Sequence, residues 1–280
     1  MSNLSKNPVA IITGGSRGIG AATALLLASK GWNIAITCSS TLEDANSIIK
    51  KCEEVNNIEG IAIQADVSID EECQKTIQET VKKWGRIDAL INNAGTSKFA
   101  WDHSDLEQLD ADDFLRIYSV NLVGPYQMVK HAKPYLLKSS NPSITNISSI
   151  AGIKGIGSSV AYAASKGALN TMTISMARNL GPIRVNAVCP GFVEGEWLKV
   201  GLGDEMFNAA KENLELKVPL KAVANPDSVA QSVFSFVEVN KIVTGQLLIV
   251  DGGHHPVSYT HLRAHETKAN RVCRRRREKK

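Results

Sequence analysis

Ser149, Tyr162 and Lys166 have the residue types and the spacing that acid–base chemistry on an oxygen atom requires. A tyrosine and a lysine four residues apart lie on the same face of a helix, one turn from each other. A phenol has a reference pKa of about 10, but a neighbouring ammonium group favours the phenolate and lowers that pKa. Lowering the pKa of the phenol by about 3 units needs roughly 4 kcal/mol of stabilisation of the phenolate relative to the phenol. We therefore predict that Tyr162 exchanges a proton with a substrate oxygen that Ser149 orients.

This spacing also has an ordinary explanation, an amphipathic tyrosine beside a solvated lysine, so the catalytic interpretation needs a site for a hydride carrier. The apolar run Val9–Ile12 predicts a strand, and Ala21–Ser29 predicts a helix. Between them lies a turn that contains Gly14, Gly18 and Gly20. A strand, a glycine-rich turn and a helix in this order are typical of a dinucleotide-binding unit, in which the pyrophosphate lies at the helix N-terminus. Ordinary turn glycines are the alternative.

Together these motifs resemble the short-chain dehydrogenase/reductase family over nearly the whole chain. The matching motifs are Thr13-Gly14-x-x-x-Gly18-x-Gly20, Ala65-Asp66-Val67, Asn92-Asn93-Ala94-Gly95, Val120-Asn121-Leu122, Ser149 with Tyr162 and Lys166, Cys189-Pro190-Gly191 and Val250-Asp251-Gly252-Gly253. The resemblance implies a catalytic tetrad of Asn121, Ser149, Tyr162 and Lys166. It implies that Lys166 also bonds the nicotinamide ribose and that Asn121 holds a proton-relaying water. For Asn121, an amide that caps a helix or stabilises a bend is the alternative, and Ser148 is predicted to be a structural hydroxyl.

The resemblance also implies which residues bind the cofactor. These are Gly14, Ser16, Arg17, Gly18, Ile19, Gly20, Ser39, Asp66, Val67, Asn93, Ala94, Gly95, Tyr162, Lys166, Pro190, Gly191 and Val193. An acidic residue after the second strand would bond the ribose of NAD, but no acid follows Ser39 before Glu43. Arg17 stands where NADP-preferring relatives have a cation, so NADP(H) is favoured over NAD(H). A solvated surface charge is the alternative for Arg17. Gly195 replaces a threonine that the family usually has, which predicts altered nicotinamide binding through the Val193 backbone.

The substrate is harder to predict than the reaction. Phe192 and Trp197 are candidates for an apolar wall over the substrate, with Trp101 facing them, although such aromatic residues are as often plain core. No His has a Cys or carboxylate partner at ligand spacing, so no metal is predicted. We expect a carbonyl reductase or alcohol dehydrogenase that acts on a small ketone, a sugar or a polyol.

Two other functions are open. The first is a 3-oxoacyl-[acyl-carrier-protein] reductase of fatty acid synthesis, which the opening turn resembles most. The stretches Arg178–Asn186 and Leu137–Pro142 are shorter or less basic than in that reductase, which would weaken docking of an acidic carrier. The second is a non-catalytic NADP-sensing regulator, because a fold does not fix a function. The retained tetrad argues against it.

Strand-like and helical segments alternate along the chain, which predicts an α/β, single-domain, Rossmann-like fold: a doubly wound parallel sheet of about seven strands with helices on both faces. The predicted strands are Val9–Ile12, Asn33–Thr37, Gly60–Gln64, Ala89–Asn92, Ser143–Ile147, Arg184–Val188 and Gln246–Val250. Two long helices are predicted, over residues 111–137 and 158–180, with Pro125 and Pro134 kinking or ending the first. A capping box, Ser68-x-x-Glu71, is predicted to open a further helix.

The C-terminal residues are expected to be foreign to the fold. Residues 257–267 are similar to a translated sequencing-library adapter, so we assign residues 1–256 to one domain, with a substrate-covering segment at about 192–217, and expect residues 257–280 to be a disordered, non-native tail. A basic arm for nucleic acid is the alternative. The tail holds nine of the 32 basic and two of the 28 acidic residues, so residues 1–256 have 23 basic and 26 acidic residues and a net charge of −3.

Composition and family resemblance also bear on partners and location. A net-negative chain gives no argument for nucleic acid or an anionic membrane, and no apolar run reaches the length of a membrane helix. Four cysteines outside the tail lack paired spacing, as in reduced cytoplasmic proteins. The resemblance implies a homotetramer built on the two long helices and the last strand. We expect a cytoplasmic homotetramer whose partner is a small molecule.

Overall fold

The sheet has the predicted architecture. The computed structural model describes residues 4–40 and 42–255, and these include seven parallel strands in the order β3-β2-β1-β4-β5-β6-β7. The strands are β1 (Val9–Ile12), β2 (Asn33–Cys38), β3 (Gly60–Gln64), β4 (Ala89–Asn92), β5 (Ser143–Ile147), β6 (Arg184–Pro190) and β7 (Leu247–Val250). The predicted foreign tail, residues 257–280, lies outside the described residues.

Helices cover both faces of this sheet. They are α1 (Gly18–Ser29), α2 (Leu42–Asn56), α3 (Asp70–Trp84), α4 (Ala111–Tyr118), α5 (Gly124–Leu136), α6 (Ala151–Lys154), α7 (Val160–Asn179), α8 (Glu196–Leu202), α9 (Asp204–Lys217) and α10 (Pro226–Phe234). A 3₁₀ turn spans Leu106–Gln108, and π-helical turns span Ser119–Val123 and Ser235–Val239.

Two hydrophobic cores result, one on each face of the sheet. The first includes Ile34 and Ile36 of β2 with Leu27 of α1. The second includes Ile11 of β1 with Trp84 of α3. Strands β1, β2, β4, β5 and β6 are buried along their whole length. Burial on both faces is typical of a parallel sheet covered by helices, and it explains why β1 is a continuous apolar run.

The strand order reverses between β1 and β4, which are paired with Ile12 opposite Ile91. In open parallel sheets, ligands bind at the carboxyl ends of the strands where the order reverses. The segments that follow β1, β2, β3, β4, β5 and β6 at this edge contain, respectively, the predicted site residues Gly14, Ser39, Asp66, Ala94, Ser149 and Gly191. The topology therefore gathers the predicted site at one edge.

Two local predictions differ from the structure. The capping box at Ser68 is wrong: α3 begins at Asp70 after Ile69, which makes no side-chain cap, and the Ser68 hydroxyl donates to Asp66 Oδ1 at 2.7 Å. The helix predicted over residues 111–137 is one helical run, but a π turn separates α4 from α5. Pro125 lies in the first turn of α5, and Pro134 lies inside that helix without ending it.

Candidate active site

The turn between β1 and α1 is shaped by hydrogen bonds to two neighbouring strands. Its Gly14 amide donates to Thr37 Oγ1 at 3.2 Å, at the end of β2. Both amide protons of Asn93, just after β4, are donated to this turn, to Thr13 O at 2.9 Å and to Gly14 O at 2.8 Å. Asn93 is predicted to bind cofactor, and in the structure its side-chain donors hold the turn in place.

The glycines leave space where a dinucleotide phosphate would lie. Gly14 and Gly18 have positive φ values of 62° and 54°, and no atom lies within 4 Å of the position that a Cβ of Gly18 would take. A Cβ on Gly20 would lie 2.6 Å from Asn93 Nδ2 and would also meet Gly14 O. Helix α1 begins at Gly18, and its first amides point towards this open space. The residues present therefore fit a dinucleotide pyrophosphate.

The adenosine end of this space is polar and exposed. Arg17, at the N-terminus of α1, and Ser39, after β2, are both exposed at the same sheet edge. Asp66 Oδ1 accepts from the Ser68 amide at 2.9 Å, so one of its oxygens is already used. Val67 is buried, and a Cβ on Gly124 of α5 would lie 2.8 Å from its Cγ2.

The nicotinamide end is formed by the segment after β6. The Gly191 amide donates to Val250 O at 2.9 Å, and a Cβ on Gly191 would lie only 2.6 Å from Asp251 Cβ. Val193 pairs with Ala224 in an isolated parallel bridge whose hydrogen bonds are made by Phe192 O and the Glu194 amide. This pattern leaves the Val193 amide and carbonyl directed to the other side.

Helix α7 presents Tyr162 and Lys166 at the end of β5. Its N-cap is Ser159, whose hydroxyl accepts from the Tyr162 amide at 3.2 Å. Lys166 is buried, and its Nζ donates to Ile147 O, the last residue of β5, at 2.8 Å. The same Nζ lies 5.7 Å from the centre of the Tyr162 ring. The predicted pair is thus brought together beside Ser149.

The protonation states differ from the sequence-based expectation. Burial raises the pKa of Tyr162 to about 12, although a hydrogen bond with Ser149 acts to lower it. Burial lowers the pKa of the Lys166 ammonium to about 8. The expected lowering of the Tyr162 pKa is therefore wrong, because removal of the phenol from water outweighs the hydrogen bond with Ser149.

The two serines after β5 have different surroundings. Ser148 is buried, and its Oγ is 2.6 Å from Asn170 Oδ1 and 3.2 Å from Lys166 O, both on α7. The prediction that Ser148 is a structural hydroxyl is confirmed. Ser149 is half-buried, and its Oγ accepts from the Ala151 amide at 3.1 Å.

Asn121 lies in the π turn between α4 and α5 and is completely buried. Its Nδ2 donates to Thr96 O at 2.9 Å and to Ser165 Oγ at 3.0 Å, and its Oδ1 accepts from the Thr96 amide at 2.8 Å. A π turn displaces one residue from the regular helical hydrogen-bond pattern, and such turns are frequent at functional sites. These bonds tie the segment after β4 to α7.

Three aromatic rings, here called the aromatic wall, stand beside the predicted proton donor: Phe99, Trp101 and Trp197. The Trp197 ring lies 5.8 Å from the Tyr162 ring and 5.4 Å from the Phe99 ring, which stacks on Trp101 at 5.4 Å. Phe192, the other predicted substrate residue, instead packs against Phe207 of α9 at 5.2 Å. Sequence reasoning missed Phe99, and its position four residues after Gly95 was the available signal.

The chain between residues 4 and 255, apart from position 41, contains no group of three or more His, Cys, Asp or Glu side chains placed to hold a metal ion. Over the same residues, no helix combines the length and the apolar composition needed to cross a membrane.

Comparison with known proteins agrees with this geometry. A family model described as Enoyl-(Acyl carrier protein) reductase matches residues 14–255. The 3-oxoacyl-[acyl-carrier-protein] reductase of Thermotoga maritima is 34% identical over 249 residues, which are 88% of this chain and 96% of that one. Among solved structures, one from Burkholderia xenovorans assigned to the short-chain dehydrogenase/reductases is 39% identical, with a TM-score of 0.81 over 89% of this chain and 98% of that one. NAD⁺-bound xylitol dehydrogenase is 28% identical, with a TM-score of 0.79 over 89% of this chain and all of that one.

Proposed function

Because this chain belongs to the short-chain dehydrogenase/reductase family of NAD(P)-dependent oxidoreductases, we propose that it interconverts a carbonyl and a secondary alcohol, with Tyr162 as the general acid or base. The observation that supports this most directly is the meeting of Ser149, Tyr162 and Lys166 beside the open glycine turn at one sheet edge.

The proton chemistry follows from the pKa values. With a pKa of about 12, Tyr162 keeps its proton at neutral pH and can donate it to a carbonyl oxygen that becomes an alcohol. Ser149, hydrogen-bonded with Tyr162, orients that oxygen. The Lys166 ammonium near the ring favours the phenolate that remains. When bound, the nicotinamide cofactor supplies the hydride for reduction or accepts it in oxidation.

We propose that the cofactor is NADP(H) rather than NAD(H). An exposed Arg17 beside the phosphate-sized opening and an exposed Ser39 after β2 can both bind the 2′-phosphate. Neither residue offers the carboxylate that would bond the 2′-hydroxyl of NAD. We propose cofactor contacts for the remaining predicted residues as well. The glycine turn with Ser16 and Ile19 binds the pyrophosphate, and Asp66 and Val67 contact the adenine. Ala94 and Gly95 contact the adjacent ribose, and the nicotinamide lies against Pro190, Gly191 and Val193.

We propose a free small ketone, sugar or polyol as the substrate in preference to an acyl carrier. Arg184 lies in the stretch Arg178–Asn186, which is shorter than in 3-oxoacyl-[acyl-carrier-protein] reductases, and it is buried. Its guanidinium donates to the carbonyls of Phe236 and Val237 and to Asn141 Oδ1. A cation with these internal partners adds nothing to the attraction of an acidic carrier. Because the Thermotoga maritima relative is a 3-oxoacyl-[acyl-carrier-protein] reductase, that activity is the second candidate function.

The test is a panel of free ketones, sugars, polyols and acyl thioesters, followed by NADPH absorbance with NADH as a control. Tyr162→Phe should lower kcat about 10²- to 10⁴-fold, because one proton donor is lost, while NADPH affinity stays within a factor of two. An unchanged rate in this variant would refute the mechanism. NADPH binding without turnover of any panel member would favour a non-catalytic regulator.

Domain organisation, assembly and location also stay proposals. We propose one domain over residues 1–256, covered at the substrate side by residues 192–217. Phe114, Leu115 and Tyr126 of α4 and α5 expose apolar surface on one long helical run, which supports self-association into a homotetramer. Light scattering of the full chain would measure the assembly, and cell fractionation would test the expected cytoplasmic location.

A further inference from the structure

The aromatic wall exposes its surface next to the reacting group. Trp101 and Trp197 are each 40% exposed, although Trp197 is in contact with the half-buried Tyr162. Indole surface that remains in water beside a proton donor is a favourable place for a flat apolar molecule, because burial removes that surface from water and ring stacking adds about 0.5–1.5 kcal/mol.

The wall is also held in one position before any ligand arrives. Trp101 Nε1 donates to Gly201 O of α8 at 3.1 Å. Gly201 packs directly on Phe99, so that any Cβ at this position would overlap the ring. The segment after β4 and the segment after β6 are joined by these contacts. A surface fixed in this way loses little conformational entropy when a ligand stacks on it.

The charges around the wall argue against an ionic substrate. In the described segments 96–103 and 192–203, both lysines already have partners: Lys98 Nζ is 2.6 Å from Asp113 Oδ2, and Lys199 Nζ lies 5.5 Å from the centre of the Phe207 ring. Glu194, in the second segment, pairs with Lys211 at 2.8 Å. These pairings weaken the attraction that the two segments offer to the phosphates of an acyl thioester. The Trp101 indole N–H is bonded within the protein, so this ring offers a substrate mainly its apolar surface.

We propose, on the basis of the function proposed above, that the substrate is an uncharged ketone or secondary alcohol with an aromatic ring next to the reacting carbon, stacked on Trp197. In reduction, the carbonyl carbon gains a hydride from the reduced nicotinamide cofactor, which is oxidised, and the carbonyl oxygen gains the Tyr162 proton. The C=O π bond is replaced by one C–H and one O–H bond. Trp197 is then the residue that selects for the ring.

The kinetic test compares acetophenone with octan-2-one, D-fructose and acetoacetyl-coenzyme A on the full chain with NADPH. We expect kcat/KM to be highest for acetophenone, by about tenfold over the linear ketone. Trp197→Ala should raise KM for acetophenone about 2- to 10-fold, as expected for one lost stacked pair, and change KM for octan-2-one less than about twofold. Trp197→Phe, which keeps a ring, should restore most of the affinity. Equal changes for both ketones, or a preference for the sugar or the thioester, would overturn the assignment.

A binding measurement separates this inference from the proposed function. Acetophenone should quench tryptophan fluorescence of Tyr162→Phe, a variant that retains the wall, and the quench should shrink when Trp197→Phe is added. Binding of acetophenone without turnover of any carbonyl by the unmodified protein would refute the proposed function and leave only an aromatic binding site on Trp197. Turnover of many carbonyls with no preference for aryl ketones would support the proposed function and refute the proposed substrate class. Absence of both acetophenone binding and carbonyl turnover would refute both proposals.

Discussion

Replacing Asn121 by alanine tests whether its amide holds the site together or relays protons. The side chain is completely buried and makes three hydrogen bonds, two to the Thr96 backbone and one to Ser165 Oγ. Alanine removes all three and leaves the amide and carbonyl of Thr96 without these partners. Ser165 suffers less, because its hydroxyl also donates to Tyr162 O at 2.8 Å.

The cost can be worked out group by group. An unsatisfied buried polar group costs about 1–3 kcal/mol, and two groups of Thr96 are affected. Thr96 is half-buried, so water can partly replace the lost bonds and the lower half of that range applies. We expect Asn121→Ala to lower the free energy of unfolding by about 2–4 kcal/mol, a large share of the about 5–15 kcal/mol typical of a domain.

Urea unfolding at neutral pH, followed by circular dichroism, measures this change. Ser165→Ala is the matched control, because it keeps both Thr96 bonds and removes only the Ser165 bonds to Asn121 and to Tyr162 O, and it should cost about 1–2 kcal/mol. A change below about 0.5 kcal/mol in Asn121→Ala would refute the structural argument. If kcat nevertheless fell in that variant, the proton-relay interpretation of Asn121 would be favoured.

Three further perturbations follow from other parts of the site. Arg17→Ala should weaken NADPH about tenfold, the loss of one charge-assisted contact, and leave NADH unchanged, as cofactor titrations would show; equal losses would contradict the NADP(H) preference. Because the pKa of buried Lys166 is about 8, below its unfolded value near 10.5, the unfolded chain binds more protons between pH 8 and 10.5. The contribution of Lys166 to the free energy of unfolding should therefore rise from pH 8 to pH 10.5 by up to about 3 kcal/mol. This rise should be missing from denaturation profiles of Lys166→Met. Gly191→Ala should cost about 1–3 kcal/mol in urea unfolding, because the new methyl group meets Asp251 Cβ at 2.6 Å; an unchanged midpoint would show that this end of β6 can yield.

Much of the fold was predictable because local sequence patterns, repeated along the chain, indicate the strands and helices. Four of the seven strands, β1, β3, β4 and β5, have the predicted bounds, since short strand-type segments alternate with helical segments along the chain. The position of the glycine turn followed from the same pattern. Ordered motifs also located Ser149, Tyr162 and Lys166, which the structure brings to one sheet edge.

What the sequence did not predict depends on contacts between distant segments. The raised pKa of Tyr162 reflects burial by the whole site, which a spacing of four residues does not encode. The π turn at Asn121 depends on Thr96 and Ser165, 25 and 44 residues away in the chain. Phe99 could not be distinguished from an ordinary loop aromatic until α8 was placed on it. The failed cap at Ser68 has a local cause instead, because Asp66, two residues earlier, accepts its hydroxyl proton.

The lone bridge between Val193 and Ala224 has a consequence for engineering. It fixes the two ends of the segment between them to each other, through bonds of 2.9 and 3.2 Å. For a loop with fixed ends, doubling the length costs only about 0.6 kcal/mol of closure entropy. We therefore expect residues 195–221 to accept exchange at their exposed positions, grafted from a relative or randomised in a library, provided that Phe207 and Val218 remain buried. Turnover by such chimeras would measure how far this segment can change without disturbing Tyr162.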